Sequence, residues 1–206
     1  MSMIIDCHNH VLGAGYPGYE KFIKEMTLGY FRSLGKLPTE RMPVAADWKG
    51  LEYLWEPIDP QVLIADHDKV GIDRCVVLGV APSDYTSYMV RGTLDVKGFT
   101  DVPGPPSIEK TNDYIAAVVR KYPKKLIGMA AVNPKFRGPA AAVQELERAI
   151  QDLKLVGLKL YPCYDHYAPN DWELTYALFA KAQELGILVM VHQASTPVID
   201  APLEFG

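Results

Sequence analysis

"LIGMAAVNPKFRGPAAAVQELERAIQDLKLVGLKLYP", residues 126–162, decides the fold. It opens on a continuous apolar run, 126–132, and closes on another, 156–161. Between them Val143, Leu146, Ile150 and Leu153 recur at helical spacing. Runs that are apolar at every position, not every second one, suit strands covered on both faces. The stretch therefore predicts strand, helix, strand, with the two strands parallel.

The same alternation continues in both directions. Further apolar runs occur at "MIIDC" (3–7), "RCVVLGV" (74–80) and "ILVMVH" (187–192). A helix is expected over 59–71, with Asp59 as N-cap, Pro60 in the first turn and Gly71 as the stop. A second, 107–123, puts Ile108, Ile115, Val118, Val119 and Tyr122 on one face and ends at Pro123. A third covers 139–157, and a fourth covers 170–186, between Asn170 or Asp171 and Gly186, with Leu174, Leu178, Ala182 and Leu185 as its stripe. Repeated βαβ units imply a parallel sheet with right-handed crossovers. An open doubly wound sheet and a (β/α) barrel both satisfy that pattern. No Gly-rich phosphate loop follows the first run, which weighs against a dinucleotide-binding open sheet. In either fold the functional loops follow the C-terminal ends of the strands. The segments there, 11–58 and 81–106, are long and carry many aromatics, Gly and Pro, as a pocket wall or lid would.

Size and charge bound the answer further. A chain of 206 residues, 49% of them hydrophobic, supports one core, so a single domain over 1–206 is expected. A net charge of -4, with the charges interspersed, leaves no basic excess for nucleic acid. The three cysteines, Cys7, Cys75 and Cys163, form no metal or redox spacing; Cys7 and Cys75 lie in apolar runs and read as small core residues. A reducing, cytoplasmic setting is the simplest expectation. Polar Asp6, His8 and His10 fall where a signal peptide would need an apolar stretch. No apolar run approaches the roughly 20 residues that cross a bilayer.

Chemistry concentrates at the strand ends. In a regular strand, residues two apart share a side, so His8 and His10 should face one way, with Asp6 alongside them. Two convergent imidazoles suit zinc, manganese or iron. Taken alone, they could equally be a solvated strand end. His192 closes the fifth run, at the same end of the same sheet, and three imidazoles from two strand ends can make an open metal site. Lys159 lies inside "VGLKLYP", where a lysine needs a carboxylate partner, a depressed pKa or chemical modification. Pairing with an acid is the expected solution. His67 reads as a helix-face residue. His166, after the fourth strand, could line a pocket, and Arg41 and Arg91, in the long loops beside Trp48, could hold a carboxylate substrate.

"IIDCHNH", "DKVGIDRCVVLG", "GMAAVNP", "GLKLYP" and "ELGILVMVH", taken in order, resemble the amidohydrolase superfamily, and within it the amidohydrolase-related branch. That branch includes aminocarboxymuconate-semialdehyde decarboxylase and related nonoxidative decarboxylases. The resemblance implies a (β/α)8 TIM barrel of which this chain holds the first five βα units. It implies His8, His10 and His192 as ligands of a divalent metal, zinc first and manganese as the alternative. It also implies a His after a sixth strand and an Asp after an eighth, both beyond residue 206. A barrel needs eight strands and about 250 residues, so an N-terminal portion of a longer protein is expected. The implied activity is metal-dependent hydrolysis of an amide, ester or lactone of a small molecule. The alternatives are nonoxidative decarboxylation or hydration of a small carboxylic acid at the same site, or a catalytically inactive fragment or binding protein. Neither nucleic acid nor membrane is an expected partner, and self-association is left open.

Overall fold

A computed structural model describes residues 2–13, 15–16, 46, 49, 58–80, 108–165 and 167–193. The described elements run, in order, β1 (Ile5–Asn9), α1 (Pro60–Val70), β2 (Arg74–Leu78), α2 (Ile108–Lys121) and β3 (Leu126–Ala131). They continue with α3 (Pro134–Arg137), α4 (Pro139–Gln151), β4 (Gly157–Leu160), α5 (Pro162–Asp165), α6 (Trp172–Leu185) and β5 (Leu188–Val191).

The five strands form one sheet in the order β1-β2-β3-β4-β5, and each neighbouring pair is parallel. That order separates the two candidate folds. A doubly wound sheet reverses direction at a switch point, whereas a barrel adds each new strand beside the last. The sheet is therefore the first five strands of a TIM barrel, a half-barrel with its crossover helices on one side.

The helix limits follow local chemistry. Asp59 caps α1 by accepting from the Gln61 amide, and Gly71 ends it at φ 78°. Asp171 caps α6 by accepting from the Leu174 amide, and Gly186 ends it at φ 64°. The third expected helix stops at Gln151, short of 157, because Lys154 takes φ 63°, a left-handed conformation that no helix continues through. The short helices α3 and α5 carry no periodic signal that sequence could offer.

The core lies between sheet and helices. Cys75, Val77, Leu126, Leu158 and Leu160 pack against Ile115, Leu146, Ala149 and Leu178. Buried Asn112 pins α2 to the sheet: its amide donates to the Ala131 carbonyl at 3.0 Å and accepts from the Ala131 amide at 3.0 Å. It also donates to Glu145 at 2.7 Å, which ties α4 to the same point. Arg148 then holds Glu145 at 2.7 Å and Asp113 at 2.8 Å, closing a bridge between the two helices. Cys75 is buried as expected, but Cys7 is exposed, because β1 has a neighbour on one side only among the described residues.

Candidate metal and substrate site

β1 and β2 do not run in simple step. Asp6 registers with Cys75, and Asn9 registers with Val77, so β1 carries one surplus residue between those pairs. Cys75 and Val77 face the helix layer, and Asp6 and Asn9 share that side. His8 and His10 consequently face the other way. The expectation that Asp6 lies beside the two imidazoles fails for this reason. Its carboxylate instead meets Nε2 of His67 on α1 at 3.2 Å and accepts from the His8 backbone amide at 3.1 Å. The His8 amide bond is the leading cause of a lowered Asp6 pKa. His67 is thus a buried helix residue paired with the half-exposed Asp6, a partner that its spacing did not reveal.

The three expected ligands come together at the C-terminal ends of β1 and β5. The His8 and His10 rings lie 5.3 Å apart, centre to centre, and His8 and His192 lie 6.5 Å apart. The His192 backbone is fixed by its amide, which donates to the Leu160 carbonyl at 2.9 Å. His10 Nδ1 lies 3.3 Å from the Leu78 carbonyl. A carbonyl only accepts, so that nitrogen carries the proton and Nε2 keeps its lone pair. Burial pushes the His10 pKa down to about 4, with further lowering from His8, Lys159 and His192. Burial also lowers His8 and His192, and the charge of Lys159 adds to it in both. All three imidazoles resist protonation.

Two imidazoles on one tetrahedral ion, with N–metal distances of about 2.1 Å, have ring centres about 5 Å apart. His8 and His10 have that spacing, and His192 stands wider. Among the described residues no three His, Cys, Asp or Glu side chains are drawn close enough to form a metal cluster. Imidazole donors suit a divalent ion, and His8 and His10 have the matching spacing.

Lys159 projects from β4 and is fully buried, with 1% of its surface exposed. The expected acidic partner is absent among the described residues. Its ammonium instead lies 4.9 Å from the centre of the Tyr161 ring. Burial pushes its pKa down to about 8. Tyr161 is anchored by its hydroxyl, which donates to the Gly79 carbonyl at 2.9 Å, and its ring lies 6.1 Å from that of His192. Tyr161 escaped the sequence reading; its position directly after β4 was the signal that could have found it. Arg41, Trp48, Arg91 and His166 lie outside the described residues, as do most of the two long loops. None of the described helices is long and apolar enough to cross a membrane.

A family model described as Amidohydrolase matches residues 5–203. Among curated proteins, the 2-amino-3-carboxymuconate-6-semialdehyde decarboxylase of Dictyostelium discoideum is 24% identical, over 93% of this chain and 49% of its own length. The solved 5-carboxyvanillate decarboxylase of Sphingomonas paucimobilis aligns with a TM-score of 0.58 and 16% identity, over 99% of this chain and 57% of that one. The 5-carboxyvanillate decarboxylase of Novosphingobium aromaticivorans, solved with bound manganese, gives 0.56 and 18% identity, over 95% of this chain and 52% of that one. The chain thus spans about half the length of the relatives it matches.

Proposed function

The chain belongs to the amidohydrolase family, and from that premise we propose that the whole protein is a metal-dependent enzyme that removes a carboxyl group from a small carboxylic acid. The observation that carries this reading is the meeting of His8, His10 and His192 at one end of a parallel half-barrel. The curated relative is itself named a decarboxylase, which supports decarboxylation as the first reading, alongside the hydrolysis that the motifs first suggest.

The chain's residues supply three things. Nε2 of His10 is presented because Nδ1–H donates to the Leu78 carbonyl. His8 and His192 stay neutral near neutral pH because burial and the nearby ammonium of Lys159 disfavour the imidazolium. Tyr161, held by Gly79, forms an aromatic wall against His192. A divalent ion on the three imidazoles, zinc or manganese, would supply Lewis acidity and a lowered water pKa. In decarboxylation the C–C bond breaks towards the ring or vinyl carbon, carbon dioxide leaves, and a proton takes its place on carbon. Hydrolysis of an amide, ester or lactone is the second reading, supported by the description of the matching family.

Metal content, measured by elemental analysis, tests the ligand set. The wild type should carry about one equivalent, and His8→Ala and His192→Ala should lose most of it. Unchanged content in both variants ends the assignment. Release of carbon dioxide from small aromatic and unsaturated acids, with no turnover of neutral lactones or esters, distinguishes the first reading from the second.

A further inference from the structure

Lys159 is not one of the three imidazoles read as metal ligands, yet it is the most completely buried cation among the described residues. A buried charge is strongly disfavoured unless it is paired. No carboxylate and no hydrogen-bond acceptor meets it among the described residues. The Tyr161 ring face offers it part of what it lacks. Cys163 favours its charged form, whereas the imidazoles disfavour it. His8, His10 and His192 all sense its charge, and they are neutral donors arranged to attract a second cation.

The sheet register shows where the ammonium is aimed. Lys159 pairs with Met190 across β4 and β5, and His192 lies two residues further along, on the same side. Lys159 also pairs with Ala131 on β3, a small neighbour that leaves the lysine room. The Lys159 backbone therefore sits one layer beneath that of His192, on the same face, and its ammonium lies against Tyr161, the ring beside His192. Its two strand neighbours, Leu158 and Leu160, are buried on the helix side in the core.

We propose that Lys159 is a substrate-binding residue whose ammonium takes a carboxylate oxygen of the substrate beneath the His8, His10 and His192 cluster. The inference rests on the reading of that cluster as the catalytic site and names the substrate class it serves. A neutral lactone or ester leaves the ammonium uncompensated; a carboxylate pairs it by a charge-assisted hydrogen bond. Lys159 thus selects for an anionic acid, at a point distinct from the metal ligands.

The test uses the Mn2+-loaded protein with benzoate as probe and benzamide as its neutral counterpart, each titrated by calorimetry. Benzoate should bind the wild type and weaken by roughly tenfold or more in Lys159→Met, which corresponds to at least about 1.4 kcal/mol. Benzamide binding should not change between the two proteins. Lys159→Arg should keep much of the benzoate affinity, and Lys159→Gln should lose it, which covers a Met variant that fails to fold. In wild type loaded with diamagnetic Zn2+ instead, benzoate should also shift the Lys159 ε-carbon resonance. Equal benzoate affinity in wild type and Lys159→Gln, or no benzoate binding to the wild type, overturns the proposal. A carbamate carbon signal from Lys159 in labelled bicarbonate overturns it too, because the modified side chain is an anion. These outcomes are independent of the ligand assignment, which fails separately if His8→Ala and His192→Ala retain their metal.

Discussion

His10 Nδ1 faces the Leu78 carbonyl at 3.3 Å, and this contact sets the ring's tautomer before any metal arrives. β2 is the nearest neighbour of β1, so the tautomer is fixed by sheet formation itself. The folded half-barrel presents Nε2 as the donor.

The part-buried His10 ring should titrate below the ordinary histidine range. In a nitrogen-resolved NMR titration of the metal-free protein, His10 is expected to remain neutral, with its proton on Nδ1, down to about pH 4. A midpoint near 6.5, or a proton on Nε2 at neutral pH, contradicts the assignment.

Stability should respond to Lys159 in the alkaline range. Its folded pKa is about 8 against an ordinary 10.5, so below pH 8 the lysine is charged in both states and its burial penalty is fully present. Between about 8 and 10.5 the unfolded chain binds more protons, so stability rises with pH. Above that range both states are neutral and the penalty is gone. Lys159→Met should therefore be more stable than wild type at pH 7, by as much as about 3 kcal/mol, with the gap closing as pH rises. Denaturant melts at several pH values measure this, and a gap that stays constant from pH 7 to pH 11 refutes it.

The three imidazoles act in the acid range with the same sign. Their folded pKa values are lowered, so as pH falls below about 6.5 the unfolded chain takes up protons that the folded chain refuses. The metal-free protein should lose stability from there towards pH 4. In His10→Gln the acid slope should flatten, and an unchanged slope speaks against a neutral His10.

Asn112 carries the attachment of α2 and α4 to β3. Asn112→Ala strands the amide and carbonyl of Ala131 and removes a donor from Glu145. A loss of about 2–4 kcal/mol is expected, read as a lower denaturant midpoint. A change under about 0.5 kcal/mol, the scale of an ordinary surface substitution, shows that the network is dispensable.

Gly128 is a packing glycine. A methyl group there meets Leu155 at 2.7 Å, Val119 at 2.9 Å and Ile115 at 3.1 Å, all within the core. Gly128→Ala should cost about 1–3 kcal/mol by overpacking. A melting temperature equal to wild type shows that the side chains can yield.

The fold was legible because continuous apolar runs and capped helical patterns are both local signals. Asp59, Gly71, Asp171 and Gly186 mark helix ends by their own chemistry, and the structure uses all four. The meeting of His8, His10 and His192 was legible because parallel strands align their ends. What escaped depends on neighbours. The surplus residue in β1 exists only relative to β2, so the alternation from Asp6 to His8 could not reveal it. The left-handed Lys154 carries no residue-type signal, and the lack of an acid near Lys159 among the described residues is a property of three dimensions. Cys7 lies in an apolar run, but its exposure depends on which strand lies beside β1.

The Asp6 carboxylate joins α1 to β1. One oxygen holds His67 on α1, and the other holds the backbone amide of His8. A shift of α1 along the sheet therefore pulls on the peptide that carries the first imidazole. The strand's irregularity makes β1 a lever: its first half is tied to the outer layer, and its second half reaches into the chemistry.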